Sequence, residues 1–227
     1  MVILPFMPVV CLGLGFWQVG RLEWKVALID DLQDKLQRAP IKLPRNVNII
    51  ELPNFEYRKV LVSGVWDHAH SILLGPKSRE NVQGYNIITP LVRSDGASTI
   101  LVNRGFVSSE LIKNPAALAK HTGVVEVLGL LRCSQVKNSF TPDNKPGKGE
   151  WYWADVEAIA NFAGGEANGV QPVYVEAIFD GDSAEAMQLV AAGEPLGRTS
   201  HVELRNMHLT YAATWYVTIR NLMAPVR

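Results

Sequence analysis

Cysteine is almost missing from this chain of 227 residues: Cys11 and Cys133 are the only two, they stand far apart, and no Cys-x-x-Cys pair exists. That excludes a disulfide framework. It also argues against a thiol oxidoreductase, a structural zinc site and a thiolate copper carrier. An excess of charge of either sign is missing too, with Lys+Arg and Asp+Glu at 22 each. No basic field is available to hold a phosphate backbone, so nucleic acid is not an expected partner. The motifs of common catalysts are also lacking. There is no Gly-x-Ser-x-Gly elbow, no P-loop and no dinucleotide-binding glycine fingerprint. Gly13 and Gly15 sit inside an apolar run and follow no strand. The carboxylates are scattered, and no acid–base pair stands out among them. The expectation is a protein that is not an enzyme, with a membrane-anchored enzyme of unrecognised site as the competing reading.

What is present begins with apolar ends. Residues 1–17 carry no charged side chain; Gln18 and Arg21 end the run. A bilayer core needs about 20 apolar residues, so residues 1–19 are expected to form a transmembrane helix. Proline and glycine within it, at Pro5, Pro8, Gly13 and Gly15, are better tolerated in membrane helices than in soluble ones. A cleaved signal peptide or a buried strand are the other readings; a basic leader and a small-residue cleavage site are both missing. Residues 207–227 form a second apolar run with Tyr211, Trp215 and Tyr216 inside it. From His208 to Arg220 it offers only about 18 Å of helix. It is expected as a second transmembrane helix, possible only with Arg220 snorkelling, or else as an amphipathic or buried helix.

Between the ends, Leu22, Val26, Ile29, Leu32 and Leu36 recur at helical spacing, predicting an amphipathic juxtamembrane helix over 20–38 that Ala39-Pro40 ends. A β-rich domain over 55–206 follows. Strands are expected at Val60 to Trp66, Ser71 to Leu74, Tyr85 to Val92, Thr99 to Val107, Val124 to Leu131, Val173 to Phe179 and Val202 to Leu204. Asp95-Gly96 marks a hairpin turn. Asp155 suits the N-cap of one helix that Gly164-Gly165 would close. Asn138 to Glu150 and Asp180 to Gly197 are expected as loops. The fold class is therefore mainly β with helices: an antiparallel barrel or sandwich between an N-terminal and a C-terminal transmembrane helix.

Few residues invite a ligand. His68 and His70 are two apart and lack a visible third metal ligand, so a surface pair at a turn is expected. His208 opens the second apolar run beside aromatics. It could serve as an axial haem ligand, or sit in an aromatic belt at the headgroups and bond to water.

Six segments in order resemble one family. They are LGFWQVGRLEWK (Leu14 to Lys25), FEYRKVLVSGVWDHAHSILLGP (Phe55 to Pro76), GYNIITPL (Gly84 to Leu91), TILVNRGFV (Thr99 to Val107), FTPDNKP with WYWADV, and LRNMHLTYAATWY (Leu204 to Tyr216). Together they are similar to the surfeit locus protein one family, the Shy proteins of fungi. The resemblance implies an assembly factor for mitochondrial cytochrome c oxidase. It would act at haem a insertion into, or stabilisation of, the central haem–copper subunit, with that subunit, other assembly factors and membrane lipid as partners. It implies a multi-pass protein of the mitochondrial inner membrane with its soluble domain on the intermembrane-space side. A simple membrane-tethered interaction module is the alternative. The histidine implicated in haem a binding in bacterial relatives falls at His208, with Tyr211 and Trp215 as packing partners. Gly15, Trp17, Arg21 and Trp24 are expected as helix and headgroup anchors. Asn103, Arg104 and Gly105 are expected to be structural, the glycine marking a bulge or close backbone approach, with a haem propionate or acidic partner as the alternative for Arg104. Two departures stand out: Arg220 and Asn221 interrupt the second run, and no arginine-rich presequence stands ahead of the first, so import would rely on that helix or on residues ahead of Met1.

Overall fold

In the computed structural model, which describes residues 3–94, 96–114, 118, 121–199, 214 and 217 without the side chains at 3–9, 11 and 12, helix α1 runs unbroken from Ile3 to Gln37. The residues expected as an apolar span and as a separate juxtamembrane helix thus share one continuous backbone helix. It stops just ahead of Ala39-Pro40, where the proline ring disfavours helical geometry in the residue before it. Of the expected apolar stripe, Leu32 and Leu36 are buried, Leu22 and Ile29 half-buried, and Val26 exposed. Among the described residues no helix is long and apolar enough to cross a membrane. The chain divides into two units, one of residues 36–200 and the other containing α1 as far as Lys35.

Residues 36–200 build a barrel. The short β1 (Ile41–Lys42) precedes β2 (Lys59–Trp66), β3 (Ile72–Arg79), β4 (Val82–Arg93), β5 (Thr99–Ser108), helix α2 (Ser109–Lys113), β6 (Val124–Arg132), helix α3 (Val156–Phe162), β7 (Val170–Phe179), helix α4 (Ser183–Ala191) and β8 (Arg198–Thr199). Strands β2, β6, β7, β5 and β4 pair in that order, and β4 returns to β2 to close the ring. β3 extends the sheet from β4, β1 lies along β2, and β8 along β7. The barrel is mixed where an antiparallel one was expected, because β5 and β7 run parallel. Side-chain alternation marks a strand but carries no information on its neighbour, so a crossover pairing leaves no local trace.

A barrel this narrow is filled by its own side chains. Val60, Val62, Ile100, Val102, Val173 and Val175 form the inner core with Trp66 and Leu91, none more than 9% exposed. Each buried Val or Ile contributes roughly 1.5–3 kcal/mol. Arg93 plugs one end, its guanidinium donating to the carbonyls of Pro44 at 2.9 Å and Ser98 at 2.8 Å. Closure needs a corner at Gly64, which pairs with both Val125 and Arg93. A Cβ there would lie 2.3 Å from the Val92 carbonyl oxygen, so only glycine lets the two strands meet.

On the outer surface, α3 and Trp151 cover Ile72, Leu74, Ile88, Leu101 and Tyr174 in a second apolar cluster. Helix α3 begins as its sequence dictates: the Asp155 carboxylate accepts from the Ala158 N–H at 3.1 Å. The stretch from Asp180 to Gly197, expected as a loop, contains α4, whose first turn is capped by Asp182 accepting from the Glu185 N–H at 2.8 Å. The β3–β4 hairpin turns through Glu80 and Asn81, both at positive φ (49° and 66°), the geometry a two-residue turn needs to match strand twist. The strand expected at Val202 to Leu204 lies outside the described residues.

Candidate functional site

The most unusual backbone is at Asn103, Arg104 and Gly105. Ile87 pairs with Gly105 and Ile88 with Asn103, leaving Arg104 as the extra residue of a β-bulge. Gly105 has φ +127°, and a Cβ on it would sit 2.2 Å from the Leu196 carbonyl oxygen. The close approach exists because Leu196 exchanges backbone hydrogen bonds with Phe106, at 2.8 and 2.9 Å. The segment Leu196 to Thr199 is thereby laid against the ends of β5 and β7. The Asn103 side-chain oxygen accepts the Gly105 N–H at 3.1 Å across the bulge.

Arg104 faces inward, on the same side of β5 as Ile100 and Val102. Its guanidinium carbon lies 5.1 Å from the centre of the Trp66 ring, and its Nη2 lies 3.9 Å from the Glu194 carboxylate. Burial lowers the Arg104 pKa below its ordinary value, and Glu194 offsets only part of that. Glu194 also pairs with His121, whose carbonyl in turn meets His68 Nε2 at 2.9 Å. Arg104 is 7% exposed, and its two partners are an aromatic face and a carboxylate of its own chain.

Outside the barrel, the same strands continue from the apolar cluster into a polar furrow of about 410 Å³. Asn103 and Glu176 stand side by side across the parallel β5–β7 pair, both at least nine-tenths buried. Asn103 also hydrogen-bonds the Tyr174 hydroxyl. Arg198 Nη1 reaches Glu176 Oε2 at 3.2 Å, and Arg132 Nε lies 3.6 Å from that same oxygen. Arg132 stacks over Tyr57 at 4.2 Å. Burial alone would lower the Arg132 pKa, but a hydrogen bond with Tyr57 and the charges of Glu176 and Glu56 outweigh it and raise it. For Tyr174, burial comes first and Glu176 second, and together they push the phenol well above its ordinary value. Cys133 is likewise pushed up, by burial and then Glu56, so it stays a thiol at neutral pH.

The other residues singled out in the sequence are dispersed. Gly15 is buried on α1, while Trp17 and Trp24 are exposed; Arg21 stacks on Trp24 with 4.4 Å between guanidinium carbon and ring centre. His68 and His70 lie on a short 3₁₀ turn capped by Asp67, whose carboxylate holds His70 Nδ1 at 2.6 Å. Among the described residues no three metal-ligating side chains converge. His68, His70 and His121 have carbonyl or carboxylate partners near solvent, a setting unlike the apolar surround of an axial haem ligand. The haem expectation therefore rests on His208, and His208, Tyr211 and Trp215 lie outside the described residues. Tyr174, Arg132, Glu176 and Arg198 were not singled out. The signal for Glu176 was available: a carboxylate inside the run VQPVYVEAIF is costly to bury unless partnered.

Comparison with known proteins extends the ordered resemblance over nearly the whole chain. The model of the SURF1 family matches residues 6–218. Surfeit locus protein 1 of Homo sapiens is 34% identical over 231 residues, covering 94% of this chain and 72% of the human protein. The Mus musculus protein of the same name is 35% identical over 225 residues, covering 92% of this chain and 68% of its own. A SURF1-like protein of Monosiga brevicollis is 35% identical over 220 residues, covering 92% and 79%.

Proposed function

This chain belongs to the SURF1 family, and on that footing we propose that it is an assembly factor for mitochondrial cytochrome c oxidase. It acts where haem a enters the central haem–copper subunit, or it stabilises the intermediate formed there. The observation that carries the reading is the family match over residues 6–218, which takes in every one of the six ordered segments. The barrel supports it in a general way: its lumen is packed with aliphatic side chains, so an encounter with a partner falls to the outer surface and the apolar ends. On this reading the chain sits in the mitochondrial inner membrane, anchored through residues 1–19 and 207–227, with the barrel on the intermembrane-space side. Haem a, the cofactor in transit, would be met by His208 with Tyr211 and Trp215 beside it. What His208 would offer there is an imidazole nitrogen to the haem iron.

The test is purification of the full chain from cells that make haem a, followed by its absorption spectrum and by identification of co-purifying subunits. A Soret band that His208→Ala removes, with the central subunit recovered in both preparations, is the expected result. Recovery of the subunit without haem would leave a scaffold and remove the haem-handling step. Recovery of neither would overturn the proposal.

A further inference from the structure

The furrow beside β7 has an unusual charge ledger. Its walls include four cations, Lys77, Arg79, Arg132 and Arg198, and one carboxylate, Glu176, in a chain whose formal net charge is zero. Such a concentration is local and costs self-repulsion unless something answers it.

The internal partners answer it only in part: Glu56 pairs with Arg132 from outside the furrow, and Glu176 serves two arginines at once. Arg198 and Arg132 both draw on one oxygen of Glu176, at 3.2 and 3.6 Å. Arg79 spends its Nη1 on the carbonyls of Leu196 and Gly197, at 3.2 and 3.1 Å, which fixes the segment bordering the furrow. Arg132 Nη1 is buried with no hydrogen-bond partner; its nearest carboxylate oxygen, on Glu56, is 3.5 Å away. The ion pair with Glu56 offsets part of the cost of burying that nitrogen, but a guanidinium nitrogen that makes no hydrogen bond is still costly.

The rest of the furrow suits recognition as well. Asn103 and Glu176 are buried polar groups held in fixed positions, one across a β-bulge and the other by two arginines. The border is rigid for the reason already given at Gly105: backbone meets backbone there with no room for a side chain. Fixed donors around a concavity lined by more cations than carboxylates are what planar or tetrahedral oxyanions require, since guanidinium forks match paired oxygens.

We infer that this furrow is an anion-binding site, taking the carboxylate or phosphate group of a small ligand between Arg198, Arg132 and Lys77. The inference depends on barrel side chains alone. It stands or falls independently of the role proposed in oxidase assembly.

Isothermal titration of the full chain in detergent at low salt tests it, with inorganic phosphate and succinate as separate probes. Saturable binding of at least one, with Kd of about 1 mM or tighter, is expected. Phosphate alone would assign the site to phosphate groups; succinate alone would assign it to carboxylates. Arg198→Gln should weaken binding about tenfold, whereas Lys148→Gln, an exposed loop cation, should leave it unchanged. Should Arg198→Gln lower the melting temperature of the unliganded protein, Lys77→Gln provides the same comparison. The absence of saturable binding by either probe up to about 20 mM overturns the inference. So does equal weakening by Lys148→Gln, which would mean diffuse attraction and no site.

Discussion

Along β5 and β7, the side chains that face into the barrel and those that face out of it obey different constraints. Inward, Ile100, Val102, Val173 and Val175 are fully buried aliphatics packed against one another. Outward, on the same strands, Tyr174, Asn103 and Glu176 bring a phenol, an amide and a carboxylate to a furrow shared with Arg132 and Arg198. The inner face holds the fold through burial, which is non-directional and tolerates any residue of fitting volume. The outer face depends on particular partners at particular distances. Apart from Arg104 and Arg93 near its ends, the barrel's centre is scaffold, and the polar groups arranged for a ligand lie on its outside.

The largest effect that could break this contrast is at Ile100. Ile100→Ala should cost roughly 2–5 kcal/mol, read as a fall in the urea midpoint; a change under about 1 kcal/mol would mean the lumen is not a packed core. Gly105→Ala comes next, because it combines positive φ with a contact to backbone that cannot yield. Strain of this kind costs about 1–3 kcal/mol. Faster hydrogen exchange at Leu196 should accompany the loss, since that residue is the one displaced.

Tyr174 sharpens the comparison through pH. Its folded pKa is raised above the unfolded value of about 10. Above that pH the unfolded chain gives up the phenolic proton while the folded one retains it. The contribution to stability is thus complete below about pH 10 and is lost as pH rises beyond it. Tyr174→Phe should flatten the alkaline limb of the stability profile and cost only about 1 kcal/mol at neutral pH, for the hydrogen bond with Asn103. An unchanged alkaline limb would remove Tyr174 from the buried set. The smallest effect is expected at Met187, an α4 side chain 74% exposed. Met187→Ser should shift stability by no more than about 0.5 kcal/mol, as measured by thermal melting.

The sequence made the inner face readable and the outer one obscure, for physical reasons. Val60, Val62 and Trp66 alternate with more exposed neighbours, and Ile100 to Val102 in TILVNRGFV is a short apolar run of the kind a strand covered on both faces requires. Asp155 announced its helix because a capping carboxylate acts within three residues. The β3–β4 turn was harder, since Glu80-Asn81 adopts positive φ without a glycine to mark it. Helix α4 was hidden by the glycines around it. The furrow could not be read, because Arg132, Glu176 and Arg198 come from three strands, with β6 antiparallel and β8 parallel to β7, and no local pattern marks either pairing. Gly105 was flagged in the sequence as a bulge or a close approach, and the structure has both at that position.

The most direct measurement is the reduced-minus-oxidised difference spectrum of mitochondrial membranes from cells in which this gene is deleted and then restored. The proposed role predicts that the haem a band falls on deletion, returns on restoration, and leaves the haem b and haem c bands in place. A haem a band unchanged by the deletion would contradict it.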